Sequence, residues 1–258
     1  MLLQFSTWPD VEAHLERSTG VIIPIGSMEQ HGPNGLIGTD ALCAEIIARE
    51  AGQQADILVG PTIAMGVAQF NLGFPGTVTM RAETVMAVIG DYVRSLMRHG
   101  FERFFFLNGH GGNIAPANAA FQDLYADQSF ERDRGNQPGI RCRLRSWWEY
   151  ENTNALRYEL YGEWEGLHAT PSEVAITQSG YPDQARNMAM EKPEKLADDY
   201  YRNFGGDKHY NADHHRRWFP DGRIGSDPSL ATPEDGTRLI AAAVPEVIAD
   251  YGKFLAED

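Results

Sequence analysis

Short apolar runs alternate with longer amphipathic stretches along this chain. Val21–Ile25, Ile57–Val59, Arg103–Leu107 and Ile140–Ser146 are bounded by turn formers or polar residues, and they read as strands of a covered sheet. The fourth carries Arg141, Arg143 and Arg145 at alternate positions, which predicts an edge strand with one wetter face. Ala41–Glu50, Glu83–His99 and Ala115–Tyr125 read as helices. In the second, Val85, Val88, Ile89, Tyr92, Val93, Leu96 and Met97 fall on one stripe, and Gly100 follows as a stop. Thr7 and Thr232 read as N-caps, with Pro9 and Pro233 in the first turns and acids at Asp10 and Asp235. Pro245 has no amide hydrogen to donate, so the last helix is expected to bend or break there. Alternation of this kind implies an α/β fold with a parallel-type sheet covered by helices on both faces. Tyr150–His168 and Asn203–Ser229 mix aromatics, glycine and charge without a period, and are expected to be long functional loops or elaborations around a site.

Nothing resembling a Pro/Ser-rich linker, a repeat or a low-complexity run divides the chain, so residues 1–258 are expected to form a single domain. A formal net charge of −14 disfavours phosphate backbones and anionic membrane surfaces. The N-terminus lacks a basic segment followed by a long apolar run, and the most apolar stretches are too short to span a bilayer. Cys43 and Cys142 cannot build a disulfide framework and read as packing residues of a reduced compartment. The expectation is a soluble cytoplasmic protein with no nucleic-acid or membrane partner.

Three segments carry the chemistry. Ile25-Gly26-Ser27-Met28-Glu29-Gln30-His31-Gly32-Pro33 follows the first strand, and Asp40 opens the next helix. Asn108-Gly109-His110-Gly111-Gly112-Asn113 follows the third strand, and Glu165 through Glu173, with His168 between, lies beyond the fourth. In open α/β sheets ligands bind at the carboxyl ends of strands, so Glu29, His31 and His110 are placed to converge. Gly111 and Gly112 would let backbone approach a bound group closely. Mixed carboxylate and imidazole donors suit Zn²⁺, Mn²⁺ or Fe²⁺ better than Ca²⁺. Glu29, Asp40 and Glu173 would put three negative charges in one cleft, which two divalent ions would balance with room for hydroxide. Taken singly, Glu-x-His is usually a surface loop, His168 could be a satisfied core histidine, and the glycine-rich turn could be an anion nest.

The order Glu-x-His-Gly-Pro, Gly-Thr-Asp, Phe74-Pro75-Gly76-Thr77, Asn-Gly-His-Gly-Gly-Asn and His-Ala with Glu five residues after the histidine resembles the creatininase family. Gly225-Ser226-Asp227-Pro228, Ala231-Thr232 and Gly236 extend the resemblance towards the C-terminus. It implies a three-layer α/β/α sandwich with a mostly parallel sheet, a paired metal centre of two divalent ions per chain (Zn²⁺ first, Mn²⁺ or Fe²⁺ as alternatives) and a homohexamer. By position, Glu29 and His110 would ligate one ion, His31 and Glu173 the other, and Asp40 would bridge. A bridging hydroxide would then attack an amide carbon. His168 becomes the proton shuttle; the alternative makes His168 a ligand and Glu173 the acid–base group. Trp164 stands where creatinine-hydrolysing members carry a pocket tryptophan, and Trp147 and Trp148 are candidates for another wall.

The chain departs from the creatinine-hydrolysing pattern at Gly112, which replaces an acid, and at Asn34 and Asn71, which replace histidines. Asn71 and the two glycines therefore join the candidate substrate pocket. The implied activity is hydrolysis of a non-peptide C–N bond in a small, possibly cyclic, amide such as creatinine. The branch sharing Asn-Gly-His-Gly-Gly-Asn also includes formylaminopyrimidine deformylases and a peptidase of cofactor maturation, so deformylation or short-peptide cleavage is the alternative. A non-catalytic binding protein on this fold is the reading from a different class.

Overall fold

Three parallel strands, β1 (Gly20–Ile25), β2 (Arg103–Asn108) and β3 (Arg141–Ser146), pair in the order β1-β2-β3. The register sets Ile25 beside Asn108 and Asn108 beside Ser146, so all three strands end at one level. This computed structural model describes residues 1–130, 139–197, 200 and 211–257. The part of the expected 203–229 loop from 203 to 210 lies outside the described residues.

Each face of the sheet is covered, and alternation along the strands decides which residue faces which layer. Ile22, Phe105 and Leu107 pack with Cys43, Ile47, Ala48 and Ala51 of α2 (Thr39–Ala55), with Val174 to Ile176 of α6 (Pro171–Gly180), and with Leu239, Val247 and Phe254 of α8 (Pro233–Leu255). Val21, Ile23, Ile25, Phe104 and Phe106 pack with Val85, Ile89 and Val93 of α3 (Ala82–Met97) and with Ala117, Phe121 and Leu124 of α4 (Ile114–Phe130). Both layers of the expected α/β/α sandwich are therefore present, and β1 is buried along its whole length. Among the described residues no helix is long and apolar enough to cross a membrane.

Two expectations need correcting, the strand at Ile57–Val59 and a break at Pro245. Ile57–Val59 is not a strand; it makes single parallel bridges, Val59 to Leu2 and to Ile22, and Ile63 bridges Ile25. Gly60 still donates to the Ile22 carbonyl at 2.8 Å, and Pro61 then interrupts the ladder, since proline cannot donate to it. As expected, β3 is an edge strand with a wetter face, its Arg141 and Arg145 side chains 42% and 50% exposed, and acids of the last helix pair with that face. Arg143 bonds Asp250 at 2.9 Å and Glu257, Arg145 bonds Asp250 at 3.1 Å, and Arg141 lies 3.4 Å from Glu257, all on or just after α8. Helix α8 runs unbroken through Pro245, because Leu239, Ala243, Val244, Val247 and Tyr251 are buried on both sides of it. Tyr150–His168 contains α5 (Glu151–Tyr161), and α7 (Ala212–Trp218) lies within 203–229, so both stretches carry short helices among their loops.

The caps form as read. The Thr7 amide donates to Asp10 at 2.8 Å at the start of α1 (Trp8–Leu15), and the Asp235 amide donates to Thr232 Oγ1 at 3.1 Å. Cys43 and Cys142 are free thiols.

Candidate metal centre

The loop after β1, the start of α2, the loop after β2 and the start of α6 meet beyond the strand ends. They bring Glu29, His31, Asp40, His110 and Glu173 together, each at most 9% exposed. Their donor atoms fall into groups within 4.8 Å: Glu29, Asp40 and His110 form one, His31, Asp40 and Glu173 a second, and Glu29, His31 and His168 a third. Asp40 reaches both histidines, with Oδ1 2.9 Å from His31 Nε2 and Oδ2 2.9 Å from His110 Nδ1. Glu173 Oε1 lies 3.7 Å from His31 Nε2, and Glu29 Oε2 lies 3.5 Å from His110 Nε2.

Each imidazole is oriented by a backbone carbonyl on its other nitrogen. His31 Nδ1 bonds the Glu29 carbonyl at 3.0 Å, and His110 Nε2 bonds the Val67 carbonyl at 2.8 Å. His31 Nε2 and His110 Nδ1 are thereby left facing the carboxylates, the arrangement by which proteins fix the tautomer of a metal-binding histidine. Glu29 is held by Ser27 Oγ at 2.8 Å and Asn71 Nδ2 at 3.0 Å. Glu173 sits in the first turn of α6, where its carboxylate accepts the Thr170 amide at 2.6 Å in a capping box. The glycine-rich turn is scaffolding as well as site. Asn108 Nδ2 donates to the His110 carbonyl at 2.8 Å, and Asn113 Nδ2 donates to the Gly26 carbonyl at 2.9 Å. A Cβ at Gly109 would come within 2.0 Å of the Asp40 carbonyl oxygen. One at Gly112 would meet Val67 O at 2.3 Å and His110 Nε2 at 2.5 Å. No side chain fits at either position without displacing a candidate ligand.

Burial opposes every charge in this cluster. It works against protonation of His31, yet Asp40, Glu173 and Glu29 push that imidazole up to about 10. His110 is raised to about 9, with Glu29 and Asp40 overcoming the same penalty. Burial would raise Asp40, but the two imidazoles hold it below the ordinary carboxylate range. Burial raises Glu29, and it lifts Glu173 to about 7. His168 is driven well below its usual value by burial and then by His31, so it is neutral. Asp40 Oδ2 is buried without a well-angled hydrogen bond although His110 Nδ1 is 2.9 Å away. A carboxylate oxygen this close to an imidazole nitrogen, in a ring of carboxylates and imidazoles, fits a shared divalent cation once the imidazole is neutral.

His168 lies beside this cluster. Its Nε2 bonds the Gln30 carbonyl at 2.7 Å, and its Nδ1 is 3.5 Å from Glu29 Oε1. A cavity of about 660 Å³ opens over the cluster, and Gly111, Gly112, Trp147, Trp148 and His168 line it. Two candidate pocket residues lie elsewhere. Trp164, in the 3-10 turn Gly162–Trp164, is not in the wall; its ring carries Lys192 Nζ at 4.7 Å and Lys195 Nζ at 5.7 Å. Asn71 is fully buried behind Glu29 and is also outside the cavity wall.

Other residues were not singled out by the sequence. Gln30, the middle residue of Glu-x-His, donates to Asn71 Oδ1 at 2.8 Å and to the Gly222 carbonyl at 3.0 Å. Asn154, Arg157 and Tyr158 line the cavity from α5. Their spacing of three and four is a helical face, a signal hidden by the charged, aromatic composition around it.

The creatininase family profile, described as creatinine amidohydrolase, matches residues 4–250. The chain belongs to the creatininase family. It is 27% identical over 191 residues to a creatinine amidohydrolase of Pseudomonas putida, covering 69% of this chain and 70% of that protein. It is 36% identical over 106 residues to a mycofactocin precursor peptide peptidase of Mycolicibacterium smegmatis, covering 39% of this chain and 42% of that one. A creatininase variant of Zn–Zn type superposes with a TM-score of 0.75 at 20% identity, covering 99% of this chain and 98% of that one. A structure described as creatininase Mn gives 0.75 at 20%, covering 99% of each.

Proposed function

We propose that this chain is a two-metal amidohydrolase that cleaves the C–N bond of a small non-peptide amide. The observation that carries the reading is the sharing of Asp40 between two donor groups, one with Glu29 and His110 and the other with His31 and Glu173. Two ions bound this way, Zn²⁺ before Mn²⁺ or Fe²⁺, would supply Lewis-acid activation of water and of the amide carbonyl. Glu29, Asp40 and Glu173 balance the added charge, while the Glu29 and Val67 carbonyls keep His31 and His110 aimed inwards. His168, neutral and anchored through Nε2 to the Gln30 carbonyl, keeps Nδ1 unprotonated on the cavity wall and serves as the proton carrier to the departing amine.

A short-peptide or formamide substrate is the second reading. It is favoured by the identity to the peptidase and by the exposed rim residues Tyr158 and Leu167, 56% and 42% accessible. Elemental analysis of gently purified protein, with and without added Zn²⁺ or Mn²⁺, and a panel of lactams, formamides, dipeptides and creatinine test both readings. Two ions per chain with hydrolysis of a non-peptide amide is the expected result. Failure to bind metal under all these conditions overturns the proposal, and turnover of dipeptides alone replaces the first reading with the second.

A further inference from the structure

The cavity has a polar wall that the metal centre does not use. Arg157, 9% exposed, comes from α5 and lines the cavity with its neighbour Asn154. Its Nε and Nη2 lie 2.9 and 2.8 Å from Glu165 Oε1, and Glu165 is fully buried. Its Nη1 donates to Asn154 Oδ1 at 3.0 Å. The guanidinium also lies over the Trp147 ring at 5.5 Å. A buried arginine held on so many sides cannot swing away, and its charge is balanced by Glu165.

The bond to Asn154 has a directional consequence. With the Asn154 carbonyl turned onto Arg157, its Nδ2 is the end left over, a fixed two-hydrogen donor beside the cavity. The wall therefore offers donors and no net charge, between Trp147, Trp148 and Tyr158. A site built to donate discriminates strongly against ligands that lack the acceptor, because its donors would be left unpaired. The cavity, about 660 Å³, has room for a ligand in the drug-sized range, well beyond a lone reacting amide.

Resting on the hydrolase reading above, we infer that Asn154, locked by Arg157, selects amide substrates that carry a second oxygen acceptor, a carbonyl or carboxylate, away from the scissile bond. The aromatic neighbours cover the apolar stem that joins the two ends.

Binding to the Zn²⁺-loaded protein tests this without requiring turnover. The probes are N-formyl and N-acetyl amino acids, their primary carboxamides, and the matching N-acyl amines that lack the second acceptor. The acceptor-bearing probes should bind about tenfold or more tightly than the N-acyl amines. Asn154→Ala should collapse that ratio towards one while zinc content stays at the wild-type value. Arg157→Lys, which keeps the charge beside Glu165 but lacks the fork that holds Asn154, should reduce the ratio too. Equal enhancement by carboxamide and carboxylate identifies a carbonyl acceptor, and a further gain for carboxylate identifies an anion; either supports the inference. A wild-type ratio near one, no binding of any probe, or a ratio unchanged in Asn154→Ala overturns it. Selective binding without hydrolysis of any probe would count against the hydrolase reading and leave this inference standing.

Discussion

Raising the pH should weaken the chelator-treated protein while strengthening its grip on metal. His31 and His110 titrate near 6.5 in an unfolded chain but at about 10 and about 9 in the fold. Between those limits the folded chain holds two protons that the unfolded chain has released. Their stabilisation is complete below 6.5 and is lost as pH rises through about 9 and then about 10. Glu173 acts with the same sign: raised from 4.5 to about 7, its proton is retained in the fold above the pH where the unfolded chain gives it up, and that contribution is lost through about 7. Each such proton tilts stability by about 1.4 kcal/mol per pH unit, so two approach roughly 3 kcal/mol per unit around pH 8. Metal binding must expel the same protons, so zinc affinity rises over the same range. Urea denaturation of chelator-treated protein at about pH 6.5, 7.5 and 8.5, repeated with excess Zn²⁺, reads both trends. A chelator-treated protein whose stability is flat or increasing with pH would refute the account of the cluster as carboxylates held by imidazolium ions.

Replacing Asp40 by Ala should remove activity together with at least one ion, since it alone belongs to both groups that include Glu173 or His110; metal analysis beside turnover checks this. His168→Ala should keep both ions and slow turnover by roughly 10²–10⁴-fold, and loss of an ion from His168→Ala but not from Glu173→Ala would exchange those two roles. Gly112→Ala should weaken metal binding by about tenfold or more, because the new methyl group strikes His110 Nε2 and the Val67 carbonyl that orients it; a zinc titration matching wild type would show that the loop yields.

Much of the fold was legible because local pattern and tertiary burial agree. The apolar runs of β1 and β2 need cover on both faces and have it, and the stripe from Val85 to Met97 lies in α3 as read. The donor residues were legible for a related reason: strand ends concentrate ligands, and Glu29, His31 and His110 follow strands that pair in register. Composition without geometry fell short elsewhere. Alternating arginines on β3 mark its wetter face, but they do not say that acids of a helix about a hundred residues later pair with it. Pro245 looks like a break until burial on both sides of it outweighs one missing hydrogen bond.

The sequence by itself determined which donors exist, the strand ends they follow and the glycines between them, since these depend on residue type and short-range spacing. Which candidate donors cluster together is a matter of tertiary structure, because Asp40 lies nine residues from His31 yet sits equally close, 2.9 Å, to His110 in the loop after another strand. Tertiary structure also decided that Trp164 leaves the cavity and that Asn154 and Arg157 enter it. A side chain's target is set by the orientation of its helix or turn against the sheet, and that orientation depends on packing among residues far apart in the chain.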